Sequence, residues 1–446
     1  MPKTMSRRMR AGVARANITP SVGIDLTGFA GRGPSVGLGD ELYATALVLD
    51  DGRERAAIVH LDLIGLDAAW SRGTCELIEK RGRVAAGKVL LCCTHTHYGP
   101  SLRTHDGDPH ASPEAAYLAE LRFKLAGVVQ EARTKLAPVV AQVGRGTSDI
   151  GINRRERRPD GRIILGRNPS GAIDRELILV RLDRASGEPL CCLLNFATHP
   201  VSQTHKGRLI SADFPGYARE VVEELTGATC LYLQGACGNI NSVIMQPGLD
   251  SPRTLGKRLG AAAVQAYETA APVELAPLAV ASKEAGLPAK TYGSVEEAQA
   301  AIDGLQAEYN GAKAGKANKG RLWWAQLRLD RAKACLESLR TGKPLPPVPA
   351  PIWGVALGEV GIATGPGEIF CEIGMAVKQA GVFPHTLYVS NTNGSVGYVP
   401  VPEAYPDGGY EVESASRVGP GAAQVVTDTA IAMLRRARAD ARKTGR

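Results

Sequence analysis

Near-continuous apolar runs that lead into Gly, Asn or His recur along the chain and predict buried strands. Runs of this kind are typical of strands that are covered on both faces. They lie at 56–65, 89–97, 177–183, 189–200, 229–239 and 386–394. Segments with apolar residues at helical spacing alternate with them, at 113–136, 215–225, 253–269, 367–381 and 421–440. The alternation predicts an α/β protein with a layered, mixed and partly parallel sheet flanked by helices.

The stretch from 285 to 345 has a different pattern, which predicts a helical hairpin. Ser294, with Glu297 three residues later, forms a capping box ahead of apolar residues at helical spacing. A second helical pattern covers 321–340, and the proline-rich stretch 344–351 predicts a stiff return linker. The predicted organisation is a metal-binding main domain of residues 1–284 and 346–446 with the helical hairpin inserted at 285–345.

Histidines stand where several of the predicted strands end. His95 and His97 end one run, and His199 ends another. Because ligands of α/β sheets bind at the carboxyl ends of strands, we expect these side chains to lie together. On a strand, the side chains of His95 and His97 would lie about 6–7 Å apart on one face. That spacing suits two ligands of one ion, or one ligand with a catalytic neighbour.

Zinc accepts His and carboxylate ligands and leaves one position open in catalytic sites. Glu368, which follows a Gly-Pro-Gly turn, is a candidate carboxylate. The HxH pattern is short and frequent, so spacing alone leaves a second interpretation open. In that interpretation the histidines are hydrogen-bonded core or turn residues.

Composition and charge narrow the class of protein. The 446 residues are 44% hydrophobic, which supports a large core and excludes global disorder. The net charge of +8 is scattered and only 5% of residues are aromatic, which argues against a nucleic-acid partner. No apolar run approaches the roughly 18 residues of a membrane helix. No apolar segment follows the basic N-terminus, and the nine cysteines contain no CxxC motif. We therefore expect a cytoplasmic protein with no integral membrane segment.

Seven motifs in this sequence resemble those of the neutral, non-lysosomal ceramidase family, in its zinc-binding catalytic domain. They occur in the family's order and span most of the chain, and THTHxGP is the most specific of them. The motifs are THTHYGP (94–100), GINRR (151–155), NFATHPVS (195–202), SADFPGYAR (211–219), QGACGNINS (234–242), GPGEIF (365–370) and GYVPVPEAYPDGGYE (397–411).

The resemblance implies a bound Zn²⁺ and assigns roles to particular residues. The implied zinc ligands are His95, His199, Glu368 and Tyr398. The implied residues of the reacting centre are His97, which would face the substrate instead of the ion, together with Arg154 and Tyr410. All three can donate hydrogen bonds to an oxygen that gains charge during amide cleavage. For Arg154, a solvated basic loop is the competing interpretation, since NRRERR is a run of charge.

The sequence departs from the family at the nucleophile. Asn241 stands where ceramidases place a nucleophilic serine, and Ser242 is one residue later. One step along a backbone normally turns a side chain away. We therefore expect attack by a metal-activated water, with Asn239 or Asn241 orienting the substrate. Ser242 as a displaced nucleophile is the second option. We also expect neither a secretion signal nor a β-rich C-terminal extension.

These features predict a zinc-dependent hydrolase that cleaves an amide (C–N) bond of a small soluble substrate. Ceramide itself is disfavoured because the sequence shows no amphipathic or apolar collar. Arginines near the presumed mouth favour an anionic substrate. Three alternatives stay open: an ester or lactone hydrolase, a metal-dependent lyase or isomerase acting on a hydroxylated or sugar-like substrate, and a non-catalytic metal-binding relative. The arginines are Arg154, Arg155, Arg157 and Arg158.

Overall fold

The computed structural model describes residues 9–102 and 112–444, so the basic N-terminal segment 1–8 lies outside the described residues. The strands are β1 (Arg10–Asn17), β2 (Gly37–Leu38), β3 (Tyr43–Asp50), β4 (Arg55–Leu61), β5 (Val89–Cys93), β6 (Ala137–Thr147), β7 (Gly151–Arg157), β8 (Ile163–Asn168), β9 (Glu176–Arg184), β10 (Pro189–Phe196), β11 (Leu209–Ile210), β12 (Thr229–Gln234), β13 (Ile240–Ser242), β14 (Ala271–Val273), β15 (Leu278–Leu287), β16 (Val348–Leu357), β17 (Val360–Thr364), β18 (Glu368–Ile369), β19 (His385–Val389) and β20 (Tyr398–Val399). The helices are α1 (Ala68–Gly82), α2 (Pro113–Thr134), α3 (Asp213–Thr226), α4 (Asp250–Glu268), α5 (Val295–Ala314), α6 (Lys319–Thr341), α7 (Cys371–Gln379) and α8 (Ala422–Thr444).

Two mixed sheets carry the architecture. The larger sheet has the strand order β12-β10-β9-β6-β1-β3-β4-β5, with β14 paired to β6. The smaller sheet has the order β15-β16-β17-β19. The pairs β4–β5, β10–β12 and β17–β19 are parallel, and the other pairs within these two sheets are antiparallel. The predicted mixed, partly parallel sheet is confirmed.

The two sheets pack face to face, with helices on both outer surfaces. One apolar core lies between the sheets and joins side chains such as Ile58 and Leu193 of the larger sheet to Val355 and Leu387 of the smaller one. Helices α1 and α2 cover one half of the larger sheet, and α3 and α4 cover the other half. Helices α7 and α8 cover the smaller sheet. Most strands are therefore buried on both faces, which explains their continuous apolar runs.

Each of the six predicted strand segments contains a strand, and each of the five helical segments contains a helix. Several boundaries differ from the prediction, and five of the strands end four or five residues before the predicted runs do. Helix α7 begins at Cys371 because the residues before it form the short strand β18. The predicted return linker 344–351 is wrong in its second half, since β16 already begins at Val348 and pairs with β15.

The segment predicted as a helical hairpin forms α5 and α6. The Ser294 hydroxyl accepts a hydrogen bond from the Glu297 amide (3.1 Å), and the Glu297 carboxylate accepts one from the Gly293 amide (2.9 Å). This is the predicted capping box with its return bond moved by one residue. The two helices share a small apolar core that includes Ile302 and Leu329.

The loop after β19 ties the two sheets together at their carboxyl ends. The Asn393 side chain accepts a hydrogen bond from the Leu91 amide (2.6 Å) and donates one to the Val89 carbonyl (2.8 Å). The Ser390 amide donates to the carbonyl of Gln234, the last residue of β12 (2.8 Å). The ends of β5, β12 and β19 therefore meet at one edge, where the predicted site residues begin.

His60 predicts a loss of stability in weak acid. Its ring is fully buried with Nε2 3.3 Å from Asp62, whose other carboxylate oxygen accepts from Arg219 (2.6 Å). Burial, with the charge of Arg219, lowers the pKa of His60 to about 4. Between pH 6.5 and 4 the unfolded chain therefore binds more protons than the folded protein. The buried neutral His60 does not reduce the free energy of unfolding above pH 6.5, but it lowers that free energy progressively as the pH falls from 6.5 towards 4.

The measurement is the free energy of unfolding in urea across this pH range, for the wild type and for the volume-matched variant His60→Met. We expect the wild-type stability to fall more steeply, by up to about 1.4 kcal/mol per pH unit. Parallel curves for the two proteins would show that His60 is not held neutral by burial.

Candidate metal centre

The candidate site lies where strands of both sheets end. His95 follows β5 by two residues, His199 follows β10 by three, and Glu368 stands four residues beyond β17. His95 has a left-handed backbone (φ 68°), which few non-glycine residues adopt and which is common at functional sites. This turn stops the strand before the histidine, so the expected strand spacing of His95 and His97 is wrong.

The side chains converge much more tightly than on a strand. The Nε2 atoms of His95 and His199 are 3.0 Å apart, and His97 Nε2 is 3.3 Å from His95 Nε2. A carboxylate oxygen of Glu368 lies 2.9 Å from His199 Nε2 and 3.2 Å from His95 Nε2. The three histidines are buried and form a group that is able to hold a metal ion.

The hydrogen bonds on the far side of two rings decide where their protons are. His95 Nδ1 lies 2.5 Å from the Ile64 carbonyl, and His199 Nδ1 lies 2.8 Å from the Cys237 carbonyl. A carbonyl only accepts, so both Nδ1 atoms carry a proton and, in the neutral rings, both Nε2 atoms present lone pairs. Burial and the charge of Arg154 lower the pKa of His199 to about 4, so its ring is neutral near pH 7.

Glu368 adds a third acceptor to the same point. Its side chain is 16% exposed and lies between the rings of His95 and His199. Two ring nitrogens and a carboxylate oxygen then face one another at 2.9–3.2 Å. Such a cluster is repulsive unless a cation lies between its members. Nitrogen and oxygen donors with backbone carbonyls behind the rings fit zinc.

His97 lies closer to the other nitrogens than predicted. Its Nε2 lies beside that of His95, within the group of histidines that is able to hold a metal ion. That His97 faces the substrate stays a prediction. Gly28 packs directly on the ring, and a Cβ added there would lie 2.4 Å from His97 Nδ1. Phe29 closes the same side at 5.1 Å between ring centroids. This loop against His97 was not found from the sequence.

Tyr398 reaches the site through strand register. It is the parallel partner of Glu368 in the β18–β20 pair, so both side chains project from the same face. Its ring is nearly parallel to that of His199, with centroids 6.4 Å apart. Burial raises the pKa of Tyr398 well above its ordinary value, while Arg154 opposes the shift. Tyr410 lies against Tyr398, with ring centroids 5.7 Å apart and 39% of its surface exposed.

Arg154 is buried in the site and is not part of a solvated loop. Its Nε donates to Glu411 (2.7 Å), and Nη1 donates to the Asn241 side-chain oxygen (3.2 Å). Nη1 also lies 3.5 Å from His199 Nδ1. Nη2 is buried and has no hydrogen-bond partner in the described part of the chain. This nitrogen is therefore available to a substrate oxygen.

Glu411 is the functional residue that sequence reasoning missed. Its buried carboxylate accepts from Arg154 (2.7 Å) through one oxygen and from Arg155 (2.8 Å) through the other. Arg155 also donates to the Gly408 carbonyl (2.8 Å), which fixes the preceding loop. The available signal was a carboxylate directly after Tyr410 at the end of a recognised motif.

The predicted cluster of four arginines is largely compensated. Arg157 pairs with Asp407, and Arg158 lies 3.2 Å from Glu156 at the surface. Arg154 and Arg155 share Glu411, as described above. The cluster therefore offers less attraction to an anionic substrate than the sequence indicates.

The segment after β12 contains three side chains whose roles the sequence leaves open, and they make different contacts. The Ser242 hydroxyl is buried and donates to the His199 carbonyl (3.0 Å), away from the ring nitrogens. Asn239 accepts from the Cys371 amide (2.9 Å) and donates to Glu372 (2.8 Å), so it holds the start of α7. Of the three, Asn241 has the side chain that reaches Arg154.

Comparisons with known proteins agree with this fold. A family model described as "Neutral/alkaline non-lysosomal ceramidase, N-terminal" matches residues 9–236, just over half of the chain. The neutral ceramidase from Pseudomonas aeruginosa is similar in structure, with a TM-score of 0.73 at 20% identity over 97% of this chain and 75% of that one. A ceramidase complexed with C2 gives a TM-score of 0.75 at 18% identity over 98% and 76%. At these identities the two structures establish the fold alone.

Proposed function

The chain belongs to the neutral/alkaline non-lysosomal ceramidase family, and on that premise we propose that it is a zinc-dependent hydrolase of an amide bond in a small substrate. Within the described residues, no helix is both long and apolar enough to cross a bilayer. Membership of the family makes the protein a hydrolase. We propose in addition that it uses zinc, that it cleaves an amide bond and that its substrate is small.

One observation is the main support for a bound metal ion. Three hydrogen-bond acceptors, from His95, His199 and Glu368, face one another at 2.9–3.2 Å, and in neutral rings no proton lies between them. The proposed ligands are these three residues together with Tyr398, and His97 flanks them. When bound, zinc would supply a Lewis acid that polarises a carbonyl and lowers the pKa of water.

The chain's own residues supply the rest of the site. We propose that Arg154 donates to the carbonyl oxygen, which gains negative charge as the amide is attacked, and the buried Nη2 without a hydrogen-bond partner supports this role. Asn241 and Glu411 are positioning residues, because each hydrogen-bonds the Arg154 guanidinium. Tyr410 stands at the exposed side of the centre, where a substrate enters.

The substrate is proposed to be a small soluble amide. Since the arginines near the mouth are mostly paired with acids, the site favours a substrate with a neutral group, or a single negative charge, opposite Arg154. We also propose that residues 1–284 and 346–446 form the catalytic domain and that 285–345 is an inserted hairpin. All nine cysteines are buried free thiols, which supports a cytoplasmic location.

Reaction in heavy-oxygen water tests the proposed chemistry. A panel of small N-acyl compounds is incubated with the zinc-loaded protein, and the products are analysed by mass spectrometry. We expect a free amine and an acid that carries one oxygen from water. An acid formed only from esters or lactones would move the activity to that class. Exchange of a carbon-bound proton with deuterated water, without oxygen uptake, would replace the hydrolase by a lyase or isomerase.

The serine of the GNINS turn gives a second test. Because the Ser242 hydroxyl is turned towards the His199 carbonyl, we expect Ser242→Ala to keep kcat within about threefold of the wild type, the effect of one ordinary hydrogen bond. Asn241→Ala removes a contact of Arg154 and is expected to lower kcat by about 10²-fold. A Ser242→Ala variant without activity, yet folded and metal-loaded, would restore serine as the nucleophile.

A further inference from the structure

A second cavity lies between the helical hairpin and the body of the protein. Its volume is about 600 Å³, within the range of small-molecule sites. Apolar side chains from α5, from the return segment and from β16 line it, among them Leu305, Leu345 and Val348. None of its lining residues belongs to the candidate metal centre.

The charged residues of this cavity are mainly cationic. Lys290, Arg328, Arg331 and Arg417 line it, against two acids, Glu308 and Glu413. Arg328 is already paired with Glu308 (2.8 Å). Three cations and one acid of the cavity are therefore not part of this pair and could interact with a bound ligand.

The remaining cations have few acceptors. Lys290 donates to the backbone carbonyls of Val412 (2.7 Å) and Glu413 (2.9 Å). Arg417 likewise donates to backbone carbonyls, at 3.0 and 3.1 Å. Among residues 9–102 and 112–444, no carboxylate forms a direct ion pair with either side chain.

Arg331 is the most exceptional of these groups. Its guanidinium has neither a hydrogen bond nor an ion pair within the residues that the structure describes. Burial, together with the charge of Arg417, lowers the pKa of Arg331 to about 10. Arg331 is half-buried. A cation that has lost part of its hydration and has no ion-pair partner destabilises the folded protein, and an anion in the cavity would offset this.

Apolar side chains lie in this cavity beside two guanidinium groups that have no carboxylate partner among the described residues, which favours an amphiphilic anion as the ligand. We propose that this cavity binds an apolar carboxylate, whose hydrocarbon chain packs on Leu305 and Leu345 and whose carboxylate binds Arg331 and Arg417. Guanidinium groups bind a carboxylate through paired hydrogen bonds, which a compact ammonium does not offer. The argument uses only this cavity and is independent of the proposed hydrolase activity.

The test is isothermal titration of the full chain with decanoate. Decyltrimethylammonium has the same chain with the opposite charge, and acetate has the carboxylate without the chain. We expect one decanoate to bind in this cavity and to raise the melting temperature, because it binds the native state. Neither comparison compound should bind. Equal binding of the cationic amphiphile would overturn the proposal, since it would show a merely hydrophobic surface.

Two variants locate the binding. Arg331→Gln is expected to weaken decanoate binding by about tenfold or more, the worth of a hydrogen bond to a charged group. Lys333→Gln removes a charge from an exposed position of the same helix and should leave the affinity unchanged. Gly304 lines the cavity, and a Cβ built there meets no atom within 4 Å, so Gly304→Leu is expected to fill part of the cavity.

The metal centre is the other place where a carboxylate would bind, so a His199→Ala variant separates the two sites. Binding that survives His199→Ala and is lost in Gly304→Leu supports the proposal. Binding that is lost in His199→Ala, or unchanged in both Arg331→Gln and Gly304→Leu, refutes it. Circular dichroism of each variant establishes that it is folded.

Discussion

A His199→Ala variant is expected to lose its metal and almost all of its activity. The His199 ring supplies one of three acceptors that meet at 2.9–3.2 Å, and it contacts both His95 and Glu368. Without it, the remaining ligands no longer enclose an ion. Lewis-acid catalysis is worth several kcal/mol, so kcat should fall by about 10³-fold or more.

Metal analysis of the purified protein by mass spectrometry measures this outcome. The wild type should contain about one zinc per chain, as a single site of this donor set predicts. His205→Ala is the matched control, because His205 is an exposed histidine of the same region that does not contact the ring nitrogens. An unchanged zinc content in His199→Ala would remove the proposed ligand set.

A Glu411→Gln variant is expected to be strongly destabilised. The Glu411 carboxylate pairs with both Arg154 and Arg155, and all three side chains are buried. The neutral amide would leave two buried guanidinium charges without their counterion. Breaking a buried ion pair by removing one partner costs about 3–5 kcal/mol. Urea unfolding measures the loss, and kcat should fall as Arg154 loses its position.

The neighbouring Asp407→Asn variant provides the control for Glu411→Gln. Asp407 pairs with Arg157 at the surface, where both side chains are more than a third exposed. Surface ion pairs contribute about 0–1 kcal/mol, so this variant should be nearly as stable as the wild type. If Asp407→Asn and Glu411→Gln lowered the free energy of unfolding by similar amounts, burial of the ion pair would not be the cause of the destabilisation.

The helices and strands could be predicted from the sequence because they depend on patterns of neighbouring residues. The apolar run 89–97 predicts β5, and the capping residue Ser294 predicts the start of α5. The end of β5 was placed too late, because the left-handed backbone of His95 is set by its packing and not by an apolar pattern.

The candidate site could be predicted from the sequence only in part. The motifs led to His95, His199 and Glu368, which the structure brings together. They did not lead to Glu411, whose importance depends on two arginines more than 250 residues away in the chain. The position of His97 beside the other ring nitrogens likewise depends on the packing of Gly28 against it.

The sequence by itself determined the class of fold, the order of its strands and helices, and the family, because periodicity and short motifs are properties of neighbouring residues. Only the tertiary structure decided that the strands form two sheets with their carboxyl ends at one edge. It alone placed the lone pairs of His95 and His199 opposite each other, since the carbonyls that fix their protons come from distant segments. Contacts of this kind depend on how the layers pack, which no local pattern records.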